Sequence, residues 1–375
     1  MRAAGSEAMK ITIVLNATAG TLRGLDAEAE AERLAAIFRR HGHHVAVEVH
    51  RGKDAVAAIA RICAAKGCDA IVVGGGDGSV SAAAAAAAKS GVTLGVLPLG
   101  TMNLFARSLR VPLDLETAAE ALAAGRPVDV DIGEVNGRLF VHHVTLGLHP
   151  RMISIRERLK YGSRLGKILA NVQALWLVLR RPPYFQAEIE IDGRRIKRRT
   201  AALVVSNNPF GEGHLPYADD LRQGRFGIYV GTSRRWTDLL QLAATVTLGA
   251  IRQNRLLEHW TGRAIMVVLP RPTMRGSVDG EIVRLASPLR IVMHPRALSV
   301  LRPADAGEAA AGAGNQPIAG ALPEKAQEGR AMAHEELTKT EARQGENRNT
   351  NIVALVVGIV LAFAILAVIY LGWLA

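Results

Sequence analysis

Aromatic residues make up only 4% of this 375-residue chain, and there are just two cysteines, Cys63 and Cys68. Two cysteines at this spacing, without histidine companions, exclude an ordinary zinc site and a disulfide framework. They suit a reducing cytoplasm and read as half-buried helix residues. A secretory leader is not expected, because the first apolar run, Ile11 to Leu15, is too short and reads as a strand; Met9, just before it, is a candidate start. Acidic residues are also in deficit. Asp and Glu number 34 against 46 Lys and Arg, a net charge of +12, and residues 151–200 alone hold 13 basic side chains against 4 acidic ones. Such a stretch calls for an anionic partner: phospholipid headgroups, nucleic acid or a phosphorylated ligand. The shortage of aromatic side chains that could stack on bases argues against nucleic acid.

Glycine, by contrast, is concentrated at one telling place. Ile71-Val72-Val73 runs into Gly74-Gly75-Gly76-Asp77-Gly78-Ser79 and then into an alanine-rich segment, Val80 to Lys89. The apolar run reads as a buried parallel strand and the alanines as a helix whose N-terminus offers free N–H groups to anions. Strand, turn and helix together make a phosphate cradle, with Asp77 placed to hold a metal–nucleotide complex. A plain strand-to-helix turn would need one or two glycines rather than four.

Around this point the first hundred residues alternate strand and helix: strands over 11–15, 44–49, 70–73 and 93–97, helices over 26–40, 54–66 and 80–90. Repeated βα units imply a parallel sheet with helices on both faces and ligands outside the carboxyl ends of the strands. Asn16 to Gly20, the glycine loop, and Pro98 to Asn103 all occupy such ends. From about Pro127 the texture changes to short strands over 128–134, 138–146, 185–191, 198–205, 227–230, 264–269 and 289–293, with hairpin turns at Asn136-Gly137 and Asp192-Gly193. The expected fold class is therefore an α/β nucleotide-binding domain (9–126) followed by an antiparallel β-sandwich domain (127–302). A basic helix over 154–180 interrupts the second domain; it reads either as a solvated surface helix or as one resting on anionic lipid. Residues 303–351 lack periodicity and read as a disordered linker. Ile352 to Leu374 is apolar for 23 residues without a charge. As a helix it would span roughly 34 Å, enough for a ~30 Å hydrocarbon core. With Lys339, Arg343 and Arg348 before it, a single C-terminal transmembrane anchor at the inner (plasma) membrane is expected, with the body in the cytoplasm. A separate module beginning at Met332 is a second way to read this tail.

Three motifs resemble those of the diacylglycerol kinase catalytic-domain family, which includes sphingosine kinases and bacterial lipid kinases. Gly75-Gly76-Asp77-Gly78-Ser79 is similar to its GGDGT. Pro98-Leu99-Gly100-Thr101-Met102-Asn103-Leu104-Phe105-Ala106-Arg107 is similar to P-x-G-T-x-N-D-F-A-R, and Val278-Asp279-Gly280-Glu281 to VDGE. Asn16 to Gly20 also looks like N-P-x-(S/A)-G, with Ala17 in place of proline. The resemblance covers about residues 9–302. It implies ATP and Mg²⁺ as cofactors and a lipid substrate, with Asn16, Gly75, Gly76, Asp77, Gly78, Ser79, Ser81, Thr101 and Asn103 at the nucleotide. It also makes Asp77 a holder of Mg–ATP and Glu281 the base that takes the proton of the lipid hydroxyl. On the residues alone, Ser79 reads as phosphate contact or helix cap, Asn103 as contact or cap, and Arg107 as a phosphate partner or a structural ion pair. The chain departs from the family at Ser81-Ala82 (usually Asn-Glu), at Leu104 (usually Asp), and at Gln223, which replaces the aspartate of a structural Mg²⁺ loop resembled by Ala218 to Gly224; Asp220 is the alternative ligand there.

The expected function is thus an ATP-dependent lipid kinase that transfers the γ-phosphoryl group to a hydroxyl of diacylglycerol or a related lipid. Its partners would be the lipid, an anionic membrane surface and a second copy in a homodimer, but no nucleic acid. A kinase of a soluble acceptor, similar to NAD kinases, and a non-catalytic nucleotide- or lipid-binding regulator are the alternatives.

Overall fold

Four short apolar runs, each followed by a helix-forming segment, build the first lobe of the computed structural model, which describes residues 8–22, 25–158, 182–214, 216–232, 238, 241 and 255–303. Strands β1 (Lys10–Asn16), β2 (His44–His50), β3 (Ala70–Gly75) and β4 (Thr93–Pro98) alternate with α1 (Ala27–Arg40), α2 (Lys53–Ala65) and α3 (Asp77–Ser90); α4 (Leu104–Ser108) and α5 (Leu115–Ala123) follow. The strands pair in parallel in the order β2-β1-β3-β4. Every residue of β3 is buried, as a strand covered on both faces requires. Asp26 caps α1 by accepting from the Glu28 and Ala29 N–H groups, which fixes where that helix begins. Helix α3 starts at Asp77, earlier than its apolar residues suggest, because Gly78 and Ser79 form its first turn.

The rest of the chain contributes β5 (Arg126–Val135), β6 (Arg138–Phe140), β7 (His143–Gly147), α6 (Leu148–Arg158), β8 (Phe185–Ile191), β9 (Arg194–Thr200), β10 (Ala202–Ser206), β11 (Phe226–Gly231), β12 (Leu257–Gly262), β13 (Ala264–Val268), β14 (Thr273–Val278), β15 (Glu281–Ala286) and β16 (Leu289–Arg302). One sheet runs β12-β11-β10-β7-β14-β15, antiparallel throughout. The other continues the parallel sheet: β4 is followed by β16, β13, β8 and β9, with β5 and β6 attached. Apolar side chains of both sheets, among them Phe140, Phe226, Ile189, Ile265 and Val278, meet in a second core distinct from that of the α/β lobe. This is sandwich packing.

Strand β16 carries the link between the lobes. Its start lies beside β13 and its end beside β4, where Val300 pairs with Leu94. Strand β5 runs antiparallel along it, with a register shift between His294 and Leu298. The carboxylate of Asp131, fully buried, accepts from the Arg296 N–H at that bulge and from the Gly224 N–H. The described residues of Met1–Ser154 and Val178–Gly312 form one compact unit; the end of α6, residues 155–158, belongs to a second.

Several sequence expectations are corrected. The single strand expected over 138–146 is two, broken at Val141-His142, whose N–H groups turn to the Asp279 carboxylate instead of a ladder. That over 198–205 is also two, broken at Ala201. Strands β12, β14 and β15 are not apparent in the sequence because their residues carry charges and glycine without clean alternation. Cys68 lies beyond α2 rather than within it. The α/β-plus-sandwich part of the expected fold class stands, but its transmembrane helix does not. No helix among the described residues is long and apolar enough to cross a membrane, and 352–374 lie outside those residues, as do 304–351 and 159–180. The anchor drops out of the fold class, and the inner-membrane location built on it is withdrawn.

Candidate active site

Three loops meet at the carboxyl ends of β1, β3 and β4. The Asn16 amide donates to Ser79 Oγ (3.2 Å), while its Oδ1 accepts from Thr18 N–H and Gly52 N–H. Asn16 therefore shapes the loops after β1 and β2 and fixes Ser79, which is itself buried. Thr21 N–H and Oγ1 both reach the Leu99 carbonyl, tying the first loop to the third. The glycine loop and the Pro98–Asn103 loop touch backbone to backbone: a Cβ at Gly100 would lie 2.8 Å from the Gly76 Cα. Only glycine allows that approach. At Gly78 a Cβ would meet nothing within 4 Å, so packing does not require glycine there and the space beside the helix start stays open.

The N-terminus of α3 has no side-chain cap. Ser79 and Val80 N–H groups bond the Gly76 carbonyl, which leaves the Asp77 and Gly78 N–H groups without a protein acceptor among the described residues. These donors and the helix dipole favour an anion. Asp77 Oδ1 accepts from the Leu104 N–H (2.9 Å), so the first motif is fixed to the second through backbone. The unusual Leu104 side chain is therefore no obstacle, because it is buried while its N–H makes the contact. Asn103 is left-handed (φ 51°) and does not cap α4; its Oδ1 accepts from Gly100 N–H and its Nδ2 donates to the Gly100 carbonyl, holding the loop closed. Thr101 is exposed, and its hydroxyl has no hydrogen-bond partner among the described residues. Arg107 Nε donates to the Met102 carbonyl.

The β lobe closes the site with the Asp279-Gly280 hairpin. Both residues have positive φ (48° and 85°), the pattern of a type I′ turn. Asp279 is buried and accepts four hydrogen bonds: from Val141 N–H (2.9 Å), His142 N–H (2.8 Å), His143 N–H (3.1 Å) and, across the lobes, Ser81 Oγ (2.5 Å). The hydroxyl of Ser81 is thus engaged by protein. Glu281, two residues on, is exposed and paired with Arg138. Buried polar groups cluster on this side: Ser277, opposite Thr145 in the β7–β14 ladder, has no partner for its Oγ, nor has His143 for its Nδ1. Burial, together with His149 and His142 and against Asp279, pushes the His143 pKa down to about 3.

Among the described residues Asp220 makes no hydrogen bond to the glycine loop. Its Oδ1 accepts from Arg222 N–H, while Gln223 N–H bonds Asn208 Oδ1 and Gly224 N–H bonds Asp131. Among the described residues no group of three or more His, Cys, Asp or Glu side chains is arranged to hold a metal. A metal at Asp77 would therefore need ligands from a phosphate as well. Beside the Asn16 loop opens a cavity of about 730 Å³, lined among others by Ala17, Thr18, Leu22, Val49 and Arg51, large enough for a nucleoside. The sequence did not single out Asp131, His142, His143 or Ser277, which stand in no recognisable motif.

Fold and site define a two-lobed protein with a phosphate cradle at the edge of an α/β sheet, closed by a β sandwich. The family profile described as Diacylglycerol kinase catalytic domain matches residues 10–135, and that segment belongs to this kinase family. A Staphylococcus epidermidis protein named "Putative lipid kinase" is 27% identical over 242 residues, covering 62% of this chain and 76% of its own length. A Staphylococcus aureus protein (strain MRSA252) similarly named is 26% identical over 246 residues, covering 63% and 78%. A crystal structure titled "putative diacylglycerol kinase" from Bacillus anthracis str. Sterne superposes with a TM-score of 0.62 at 21% identity, covering 80% of this chain and 99% of that one. At that identity the superposition speaks for the fold. Residues 10–135 are therefore a domain of the diacylglycerol kinase catalytic type.

Proposed function

We propose that the protein is an ATP-dependent lipid kinase that transfers the γ-phosphoryl group to a hydroxyl of diacylglycerol or a related lipid. The observation that carries this reading is the uncapped start of α3, with Asp77 fixed by Leu104 N–H. Phosphoryl transfer depends mainly on positioning and on stabilising phosphate charge. The N–H groups of Asp77 and Gly78 and the Thr101 hydroxyl would receive phosphate oxygens. Asn16 and Asn103 would act by shaping the loops that present those donors, and the nearby cavity would take the nucleoside. Mg²⁺, when bound, neutralises phosphate charge; Asp77 would be its protein carboxylate, consistent with a cation that takes most of its ligands from substrate and water. Glu281 would accept the proton of the lipid hydroxyl, which requires its pair with Arg138 to open. An anionic lipid surface is the partner this reading calls for, and Asp220 would hold a second, peripheral metal only with a changed loop path.

Incubation with γ-labelled ATP, Mg²⁺ and extracted membrane lipids is expected to place label in the organic phase, and Asp77→Ala to abolish it. Label transferred only to a water-soluble acceptor would assign the cradle to a soluble-substrate kinase. Nucleotide binding without turnover over a broad lipid panel would make the protein a regulator.

A further inference from the structure

His142 stands in none of the motifs, yet the structure sets it where all three meet. Its backbone is fixed from two sides: the N–H donates to Asp279 Oδ1 of the third motif (2.8 Å), and the carbonyl accepts from Asn207 N–H (2.8 Å). Its ring lies edge-on to Phe105 of the second motif, with centroids 5.9 Å apart. Its Nε2 points to the first motif and lies 3.8 Å from Asp77 Oδ1. The residue is 7% exposed and this nitrogen has no hydrogen-bond partner. A buried, unpaired imidazole nitrogen is costly and uncommon, and its persistence calls for a partner that arrives in another state.

The remaining gap is about 1 Å longer than a charge-assisted hydrogen bond, which is about 2.8 Å. It also lies on the line between the lobes, since Asp77 belongs to the α/β lobe and His142 to the β lobe. The Ser81–Asp279 bond already ties these lobes one helical turn further along α3. Asp77 Oδ1, facing His142, is held by Leu104 N–H, whereas Oδ2 has no protein partner among the described residues. A second donor on Oδ1 would stop the carboxylate from rotating and reserve Oδ2 for a cation.

We propose that His142 is a positioning residue for the metal–nucleotide site: on nucleotide binding its Nε2–H closes onto Asp77 Oδ1 and fixes the carboxylate for the metal. This rests on the proposed role of Asp77 in holding a metal nucleotide. The alternative is a histidine that only fills the lobe junction, for which a ring of similar size would serve equally well.

The test measures binding of ADP by calorimetry to the full-length protein, with Mg²⁺ and with EDTA. Wild type should bind ADP more tightly with Mg²⁺. His142→Phe keeps the ring and loses the donor; it should bind Mg·ADP about tenfold or more weakly, the size expected for a group that orients a metal ligand, with ADP affinity in EDTA unchanged. His142→Gln, whose amide can reach a similar point, should recover most of the loss. In turnover, KM for Mg·ATP should rise in His142→Phe while KM for the lipid stays put. Wild-type affinity for Mg·ADP in His142→Phe overturns the inference and leaves the kinase reading intact. Absence of any Mg²⁺-dependent binding in wild type overturns the nucleotide reading and the inference with it. Should His142→Phe not fold, ¹⁵N spectra of the wild-type imidazoles decide: the Nε2 resonance missing from His142→Gln must shift when Mg·ADP is added, and an unmoved resonance refutes the contact.

Discussion

Two Asp-Gly pairs line the junction between the lobes, and they differ in nearly everything except sequence. Asp77-Gly78 opens a helix, and its carboxylate takes one strong hydrogen bond, from Leu104 N–H, with a quarter of the side chain still exposed. Asp279-Gly280 closes a hairpin, and its buried carboxylate takes four hydrogen bonds. A carboxylate with an oxygen to spare can meet a ligand, whereas one surrounded by N–H groups organises the backbone around it. The number of donors already facing each oxygen, rather than the dipeptide, separates the two roles.

The sharpest way to break this contrast is to remove each carboxylate in turn. Asp279→Ala would leave three buried N–H groups without an acceptor, and a loss of roughly 3–5 kcal/mol is expected in urea unfolding. Asp77→Ala loses only the contact with Leu104 N–H and should cost about 1 kcal/mol, while transfer to lipid disappears. If the two variants unfold alike, the assignment of one to scaffold and the other to chemistry is wrong. Glu281 extends the comparison within a single hairpin. Exposed and ion-paired with Arg138, it should contribute below about 1 kcal/mol to stability. Glu281→Gln is nevertheless expected to slow turnover by about a hundredfold with unchanged KM for nucleotide, the range for losing a proton acceptor. Full turnover in that variant would move the proton to another group.

What could be read from the sequence follows the same division. The βα order, the buried β3 and the three loops at the strand ends were legible because they depend on local apolar runs and on glycines beside them. The lobe-sharing strand β16 was not, since pairing Val300 with Leu94 involves residues some two hundred positions apart and leaves no local sign. Asp279 and His142 were hidden for the same reason: one reads as an ordinary turn residue and the other as part of a strand until Val141, His142 and Ser81 are brought to the same carboxylate. Ser81 and Leu104, which depart from the family pattern, gain a meaning only in three dimensions. Leu104 acts through its N–H and Ser81 through a bond to the opposite lobe. Nothing in the structure explains the alanine at position 82.

His143, which donates its N–H to Asp279 but keeps an enclosed, unpartnered ring nitrogen, gives the comparison a pH dependence. Its pKa is about 3 in the fold, chiefly through burial, against an ordinary value near 6.5 in the unfolded chain. The unfolded state therefore takes up a proton below pH 6.5 that the folded state refuses until about pH 3. The stability is complete above pH 6.5 and declines as pH falls through that window, by about 2 kcal/mol at pH 5. Unfolding midpoints of wild type and His143→Gln at pH 7.5 and pH 5 should differ in this sense. Parallel pH profiles for the two proteins would show that the ring is not kept neutral by the fold.

The smallest expected effect is the most discriminating for Ser81. Were its hydroxyl a nucleotide contact, as the family resemblance implies, Ser81→Ala would raise KM for Mg·ATP and leave unfolding almost unchanged. The structure gives that hydroxyl to Asp279 at 2.5 Å. Hydrogen bonds to charged acceptors stabilise more than neutral ones, but three backbone donors remain on Asp279 in the variant, so a loss of about 1 kcal/mol is expected. A double-mutant cycle with Asp279→Ala should show coupling of about the same size, since each change removes the Ser81–Asp279 bond. Nucleotide KM should stay within about twofold of wild type, as expected when no contact to substrate is lost. Additive unfolding energies together with a raised KM would return Ser81 to the nucleotide and leave Asp279 to hold the hairpin alone.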